Sequence, residues 1–194
     1  MRLEEIAGRG RCAVAVAALP PGSVVGEYSG PPYGACPLAS SRHRVCAGCG
    51  KTAAAGKRLG RCSRCKQVCY CGGRCQRADW ELHRHECAAL KSPESHLHRL
   101  EEAPAADLML AGRCLWRKRA ASQTPSGDTE LPHFEAMERT SPSESDRALA
   151  KLALTLSDLV PPDTTEDDVA QLLGTFGVNN FGVTNEMHSL VAAG

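Results

Sequence analysis

The chain has 194 residues, 42% hydrophobic and 23% charged, which is the balance of a folded domain rather than a disordered one and too short for a large multidomain enzyme. Aromatics make up 4%, which excludes a large aromatic core, while eleven cysteines are far more than packing requires. The formal charge of +1 conceals an asymmetry: residues 1–45 carry +2, residues 46–87 carry +6 and residues 88–194 carry −7.

Along the chain, Gly8-Arg9-Gly10-Arg11 reads as a glycine-rich bend, and Cys12–Ala18 as a small, β-branched strand. Pro20-Pro21-Gly22 interrupts it before Ser23–Tyr28 resumes, so a short β-hairpin is expected around that break. The early apolar run Ala13–Leu19 has seven residues, against about 20 for a membrane span. Met1-Arg2-Leu3-Glu4-Glu5 is acidic where a secretory signal is basic and then apolar. Reduced thiols are therefore expected, and clustered thiols in that setting point to metal rather than disulfides.

Residues 29–45 read as a Pro/Gly/Ser-rich connector, and a helix is expected from Asp79, as N-cap, to about Leu90. A further helix is expected near Ala105–Arg119, then a mobile Ser/Thr/Pro/Glu-rich loop over 122–146. Leu149, Leu152, Leu156 and Leu159 fall at helical spacing within Arg147–Leu159. Thr165-Glu166-Asp167-Asp168 has the form of a helix start, Gly174 and Gly177 suggest that helix's end, and Val178–Val183 reads as extended.

Eight cysteines lie between Cys46 and Cys87. Seven of them form four pairs with His83: Cys46-x2-Cys49, Cys62-x2-Cys65, Cys71-x3-Cys75 and His83-x3-Cys87. An x2 pair on a tight turn presents two sulfurs to one ion, and an x3 pair on a helix puts both side chains on one face. Four pairs make two tetrahedral sites of thiolate and imidazole, the donor set of structural zinc with no coordination position left for a reactive water. Successive pairs could share an ion, or the pairs could interleave, and the spacing alone leaves both open. His83, at i, i+4 from Cys87, is the ligand; His85 is expected to be solvated, and Cys69 to be a surplus, partly buried thiol. About 42 residues bury too little apolar surface to fold unaided, so metal must supply the fold.

The series Tyr70-Cys71-x3-Cys75-Gln76-x2-Asp79-Trp80-x2-His83-x3-Cys87 resembles the MYND zinc finger over residues 46–87. The resemblance implies the interleaved arrangement: Cys46, Cys49, Cys71 and Cys75 on one zinc, and Cys62, Cys65, His83 and Cys87 on the other. It also implies a groove for proline-rich peptides, with Tyr70, Gln76 and Trp80 at the matching positions. Gly8–Ala13 with Leu19–Tyr28 resembles the opening strands of a SET domain, and Asn179-Asn180-Phe181-Gly182-Val183 the segment where that domain resumes. The layout is that of the SET-and-MYND (SMYD-type) protein-lysine methyltransferases, and it implies contacts to S-adenosylmethionine from Arg9 and Asn179.

The family's Asn-His-Ser-Cys type motif and later channel tyrosine are not among these residues: no Asn-His pair occurs, and the tyrosines are Tyr28, Tyr33 and Tyr70. No catalytic residue is therefore assigned, and S-adenosylmethionine is expected only in a complete family member. The resulting expectation is an α+β fold with a split SET β-segment, an inserted two-zinc finger and a mainly helical region. Residues 1–45 form the first SET part and connector, 46–87 the finger, 88–178 a helical insert and 179–194 the start of a resumed, truncated SET domain. Its β elements are expected to lack partner strands and leave open edges. The function is that of a SET-MYND lysine methyltransferase without its catalytic C-terminal half, or alternatively a zinc-finger adaptor for proline-rich partners. Lysine substrates, histone or other, are expected only at full length. The +6 of the finger, with Arg58, Arg61, Arg64 and Lys66, reads as solvated surface; neither nucleic acid nor membrane is an expected partner, and the location is nuclear or cytoplasmic.

Overall fold

A computed structural model describes residues 2–24, 34–53, 57–123, 134–135, 137, 140–156, 158–183 and 190–193. The chain divides into two compact units, Met1–Pro31 and Pro32–Gly194.

In the first unit, β1 (Arg2–Ile6) pairs antiparallel with β2 (Gly10–Val14), in the register Arg2↔Val14 to Ile6↔Gly10. The hairpin thus turns at the glycine bend and not at Pro20-Pro21-Gly22, as the sequence suggested. Gly8 has φ +74, the positive value that the third residue of a type II turn demands, and Arg9 N–H closes the turn on the Ile6 carbonyl at 2.9 Å. The second arm of the expected hairpin falls largely on residues 25–28, outside the described residues.

In the second unit, β3 (Gly34–Pro37) pairs antiparallel with β7 (Leu190–Ala193), which pairs with β6 (Asn180–Val183). Strand β3 falls in the stretch expected to be a connector, and it meets a strand more than a hundred residues beyond the finger in one sheet, whose edges among the described residues are β3 and β6. Between them run β4 (Gly60–Arg61), β5 (Cys69–Tyr70), α1 (Gly73–Lys91), a 3-10 turn (His96–Arg99), α2 (Glu102–Gln123), α3 (Glu144–Thr155) and α4 (Glu166–Asn179). Among the described residues, small sheets with four helices make an α+β fold.

Helix α2 is the centre of the core. Leu108, Met109 and Leu110 are fully buried, as are Leu90 of α1, Ala150 and Ala153 of α3, and Val169 and Ala170 of α4. Full burial of the Leu, Met and Val side chains among them contributes about 1.5–3 kcal/mol each, and of the alanines less. Cys36 of β3 and Cys114 of α2 are buried thiols in this core, the former donating to the Ala106 carbonyl at 3.3 Å.

Several helix boundaries differ from the sequence expectation: α2 extends beyond Ala105–Arg119 at both ends, and α3 ends at Thr155, leaving Leu156 and Leu159 outside it. Helix α1 starts six residues before Asp79, which is a buried residue inside the helix and not its cap; Gly72 stands at the N-cap position without a side-chain bond. Helix α4 runs through Gly174 and Gly177. Gly174 serves close approach rather than termination, since a Cβ there would lie 2.8 Å from the Thr140 carbonyl oxygen, and Thr140 Oγ1 donates to the Gly174 carbonyl at 2.7 Å. Helix α3 begins at Glu144, capped by Ser143 in a capping box with Asp146. The loop expected over 122–146 falls mostly outside the described residues, and its edges at Ser122–Gln123 and Glu144–Asp146 are helical.

Thr165 caps α4: its Oγ1 accepts from the Asp168 N–H at 3.1 Å, and the Asp168 carboxylate accepts from the Thr165 N–H at 2.8 Å. The Thr165 hydroxyl and N–H hold the Asp168 carboxyl below its ordinary value. A depressed carboxyl stabilises the fold above its unfolded pKa, and that contribution is lost as pH falls through the folded value. Thr165→Ala is expected to cost about 0.5–2 kcal/mol at pH 7, and less once the carboxyl is protonated. Urea denaturation of both proteins at neutral and acidic pH checks this, and an unchanged difference contradicts it.

Candidate metal centre and the buried network behind it

The four cysteine-containing pairs occupy two kinds of local structure. Cys46 and Cys49 lie on a turn closed by Gly50 N–H to the Cys46 carbonyl at 2.8 Å and Cys46 N–H to the Lys51 carbonyl at 2.9 Å. Cys62 and Cys65 lie on a second turn after β4, where Lys66 takes φ +61 and its N–H bonds the Cys62 carbonyl at 3.0 Å. Helix α1 contributes Cys75 from its first turn and His83 and Cys87 from one face, while Cys71 precedes it.

These elements cross. The donor atoms of Cys46, Cys49, Cys71 and Cys75 all lie within 4.8 Å of one another, and so do those of Cys62, Cys65, His83 and Cys87. The crossing runs through β5, whose Cys69 bridges Cys46 and pairs with Arg61 of β4. Cys69 itself is 3% exposed and belongs to neither group.

The donor sets fit zinc in chemistry and in spacing. Tetrahedral zinc with Zn–S of about 2.3 Å and Zn–N of about 2.0 Å separates two sulfurs by about 3.8 Å and sulfur from nitrogen by about 3.5 Å. Cys49 and Cys71 sulfurs are 3.6 Å apart, Cys62 and Cys87 sulfurs 4.0 Å, and His83 Nε2 lies 3.4 Å from Cys62 and 3.6 Å from Cys65. The first site is exposed on one side, through Cys49 and Cys71, while every residue of the second is buried. In both, the donors are positioned by backbone bonds: Cys71 N–H donates to the Cys46 sulfur at 3.3 Å and Gln67 N–H to the Cys65 sulfur at 3.5 Å.

As free thiols these groups obstruct each other's ionisation. Burial and the neighbouring Cys65 and Cys62 push Cys87 up to about 12. Cys65 goes the other way: burial opposes its ionisation, but His83 and the Gln67 N–H bring it down to about 6. A dication replaces the protons, so metal affinity rises with pH through this range.

Behind the second site stands a network that the sequence reading missed. Glu86, 2% exposed, approaches His83 Nδ1 at 2.9 Å with Oε1, and both its oxygens accept from Arg113 of α2. Burial alone would raise the Glu86 carboxyl, but Arg113 and His83 hold it at about 2. Asp79 also accepts from Arg113 and from the Tyr70 hydroxyl at 2.7 Å. The signal was present in the sequence: positions 79, 83, 86 and 90 follow the buried stripe of α1, and three of them are Asp, His and Glu.

The other predicted residues separate into accessible and enclosed. Trp80 is 38% exposed, with Gln76 half-buried one turn before it, whereas Tyr70 is 1% exposed, its edge towards His83. His85 is a correction: it is no ligand, but it is half-buried rather than solvated, stacked on Trp116 at 3.5 Å and 11°. Arg9 is exposed at the turn of the hairpin, and Asn179 is the last residue of α4. Arg58, Arg61, Arg64 and Lys66 are exposed. Seven thiolates holding two dications remove three units from the formal +6, leaving +3 on the loaded module. Among the described residues, no helix is long and apolar enough to cross a membrane.

Residues 46–87 match the MYND finger family. The chain is 44% identical over 70 residues, 36% of its length, to a plant protein, histone-lysine N-methyltransferase ASHR1 of Arabidopsis thaliana. It is 44% identical over 68 residues, 34% of its length, to N-lysine methyltransferase SMYD2 of Gallus gallus. It is 30% identical over 175 residues, 88% of its length, to histone-lysine N-methyltransferase SMYD3 of Mus musculus. The matched stretches span 13%, 15% and 37% of those relatives. Residues 46–87 are thus a MYND finger with two four-donor groups that fit zinc, in a chain similar to lysine methyltransferases.

Cobalt(II) substitution tests the crossing, because four-sulfur and three-sulfur-one-nitrogen sites differ in their visible bands. Cys71→Ser is expected to perturb only the four-sulfur signature and His83→Ala only the other. If Cys71→Ser perturbs the nitrogen-containing site instead, the pairs are sequential.

Proposed function

We propose that the chain belongs to a SET-and-MYND protein-lysine N-methyltransferase using S-adenosylmethionine, and that its finger docks proline-containing segments of partner proteins. The carrying observation is that β3, before the finger, pairs with β7, far beyond it. A two-zinc module set between strands of one sheet supports the reading of a split SET domain, with residues 1–45 and 179–194 as its two parts and 88–178 as a helical insert. The similarity to mouse SMYD3, which extends over most of the chain and not the finger alone, supports it further.

Within this proposal each residue has a role. The two zincs fix the finger and take no part in chemistry, since all their positions are filled by protein. Arg9 in the glycine bend and Asn179 at the α4–β6 junction are the proposed contacts to S-adenosylmethionine. Gln76 and Trp80, at i and i+4 on α1, supply the accessible docking surface, and the flat indole suits a proline ring. Tyr70 acts on that surface through its packing against His83. In-line methyl transfer depends on positioning donor and lysine amine, and the motif and tyrosine that do this in the family are not among the 194 residues. Turnover on a lysine, histone or other, is therefore assigned to the full-length architecture, in the nucleus or the cytoplasm. Exposure of Trp80 also favours a second reading, in which the chain acts as a non-enzymatic zinc adaptor.

Calorimetry on the zinc-loaded chain tests both readings. A proline-rich peptide is expected to bind wild type and to lose roughly tenfold or more in Trp80→Ala, as loss of an aromatic anchor predicts. S-adenosylmethionine is expected to bind more weakly than low micromolar. Equal peptide affinity in the variant refutes the docking surface, and tight S-adenosylmethionine binding or methyl transfer by this chain refutes the assignment of turnover to the longer protein.

A further inference from the structure

Arg113 lies outside the finger, in the middle of α2, yet its side chain is 4% exposed and is committed to α1 and β3. Nε donates to Glu86 Oε2 at 2.8 Å and Nη2 to Oε1 at 2.6 Å. Nη1 donates to Asp79 Oδ1 at 2.8 Å and to the Ala35 carbonyl at 3.1 Å. One planar guanidinium thus clamps two carboxylates of the finger helix, a geometry that a lysine cannot reproduce.

We propose that Arg113 is a positioning residue for the Cys62, Cys65, His83 and Cys87 site, so that metal retention there depends on a helix outside the finger. The chain of contacts has two links. Glu86 Oε1 sits 2.9 Å from His83 Nδ1, so Nδ1 carries the proton and donates, which turns Nε2 and its lone pair towards the sulfurs of Cys62 and Cys65. Arg113 holds both oxygens of that carboxylate in place. Without the fork, neither oxygen of the buried Glu86 carboxylate is held in place, and His83 loses the fixed acceptor that orients its ring. Among the described residues the hydrogen bonds of Arg113 go to Glu86, Asp79 and Ala35 and none to Cys46, Cys49, Cys71 or Cys75, so the four-cysteine site serves as an internal control. The coupling is reciprocal: metal on the second site holds Glu86 in register for Arg113 and so favours docking of α2 on α1.

The inference rests on the second site holding zinc, and the experiment separates that premise from the inference. The full chain is loaded with cobalt(II), and the affinity of each site is read from its own bands in competition with a chelator. Arg113→Met is expected to weaken the nitrogen-containing site by roughly 10–100-fold, leaving the four-sulfur site unchanged. Because Arg113→Met strands two buried carboxylates, Arg113→Lys is measured beside it, and it too is expected to weaken the nitrogen-containing site, by less. Glu86→Gln, which keeps an acceptor for Nδ1–H, is expected to lose less than Glu86→Ala. Unchanged affinity in the folded Arg113 variants overturns the proposal, as does equal loss at both sites, which marks a general stability effect. A wild-type chain that takes up a single ion removes the premise and the proposal with it.

Discussion

Seven cysteines and one histidine converge in two crossed groups, and most of the chain's second unit is arranged around that convergence. The crossing forces three separate stretches, two turns and one helix, into a single body: neither group can assemble unless β5 lies against Cys46 and α1 reaches both sites. A segment of this length has little apolar surface to hold such an arrangement, and mutual repulsion of thiolates works against it. Dications invert that balance, turning crowded sulfurs from a liability into the strongest contacts in the region.

The finger is not a bead on a string. Its helix shares a buried ionic cluster with α2, in which Asp79, Glu86 and Arg113 are each less than a tenth exposed. Such a cluster is costly to desolvate, and breaking it costs more than forming it gains. Its placement is therefore informative about specificity: Glu86 sits against His83 Nδ1, and one arginine from α2 reaches both carboxylates. The same helix then carries Trp80 outward, so the candidate metal site, the contact with α2 and the exposed aromatic share one element.

Much of this was legible in the residues. The pair spacing picked out the eight donors that the structure gathers into two groups, and the i, i+4 relation set His83 among them and His85 apart. The Leu149 stripe and the Thr165–Asp168 box located α3 and α4. What stayed hidden has physical causes. The start of α1 lacks a capping side chain, because Gly72 and the ligand Cys71 set it, so Asp79 was mistaken for a cap when it was a buried partner for Arg113 and Tyr70. Gly174 looked like a terminator because a glycine needed for close approach to Thr140 is indistinguishable in sequence from one that ends a helix. The β3–β7 pairing joins residues too far apart for any local pattern to register, and Arg113 sits in the buried stretch of α2, where only its partners on α1 and β3 explain it.

The claim on which the rest stands is the two-ion clasp, and its most direct test is the mass of the intact purified chain under non-denaturing conditions at neutral pH. The account predicts two zinc ions per chain, both released together with the loss of folded structure when a strong chelator is added. A chain that is folded and compact while weighing as the bare polypeptide, or with one ion, contradicts it.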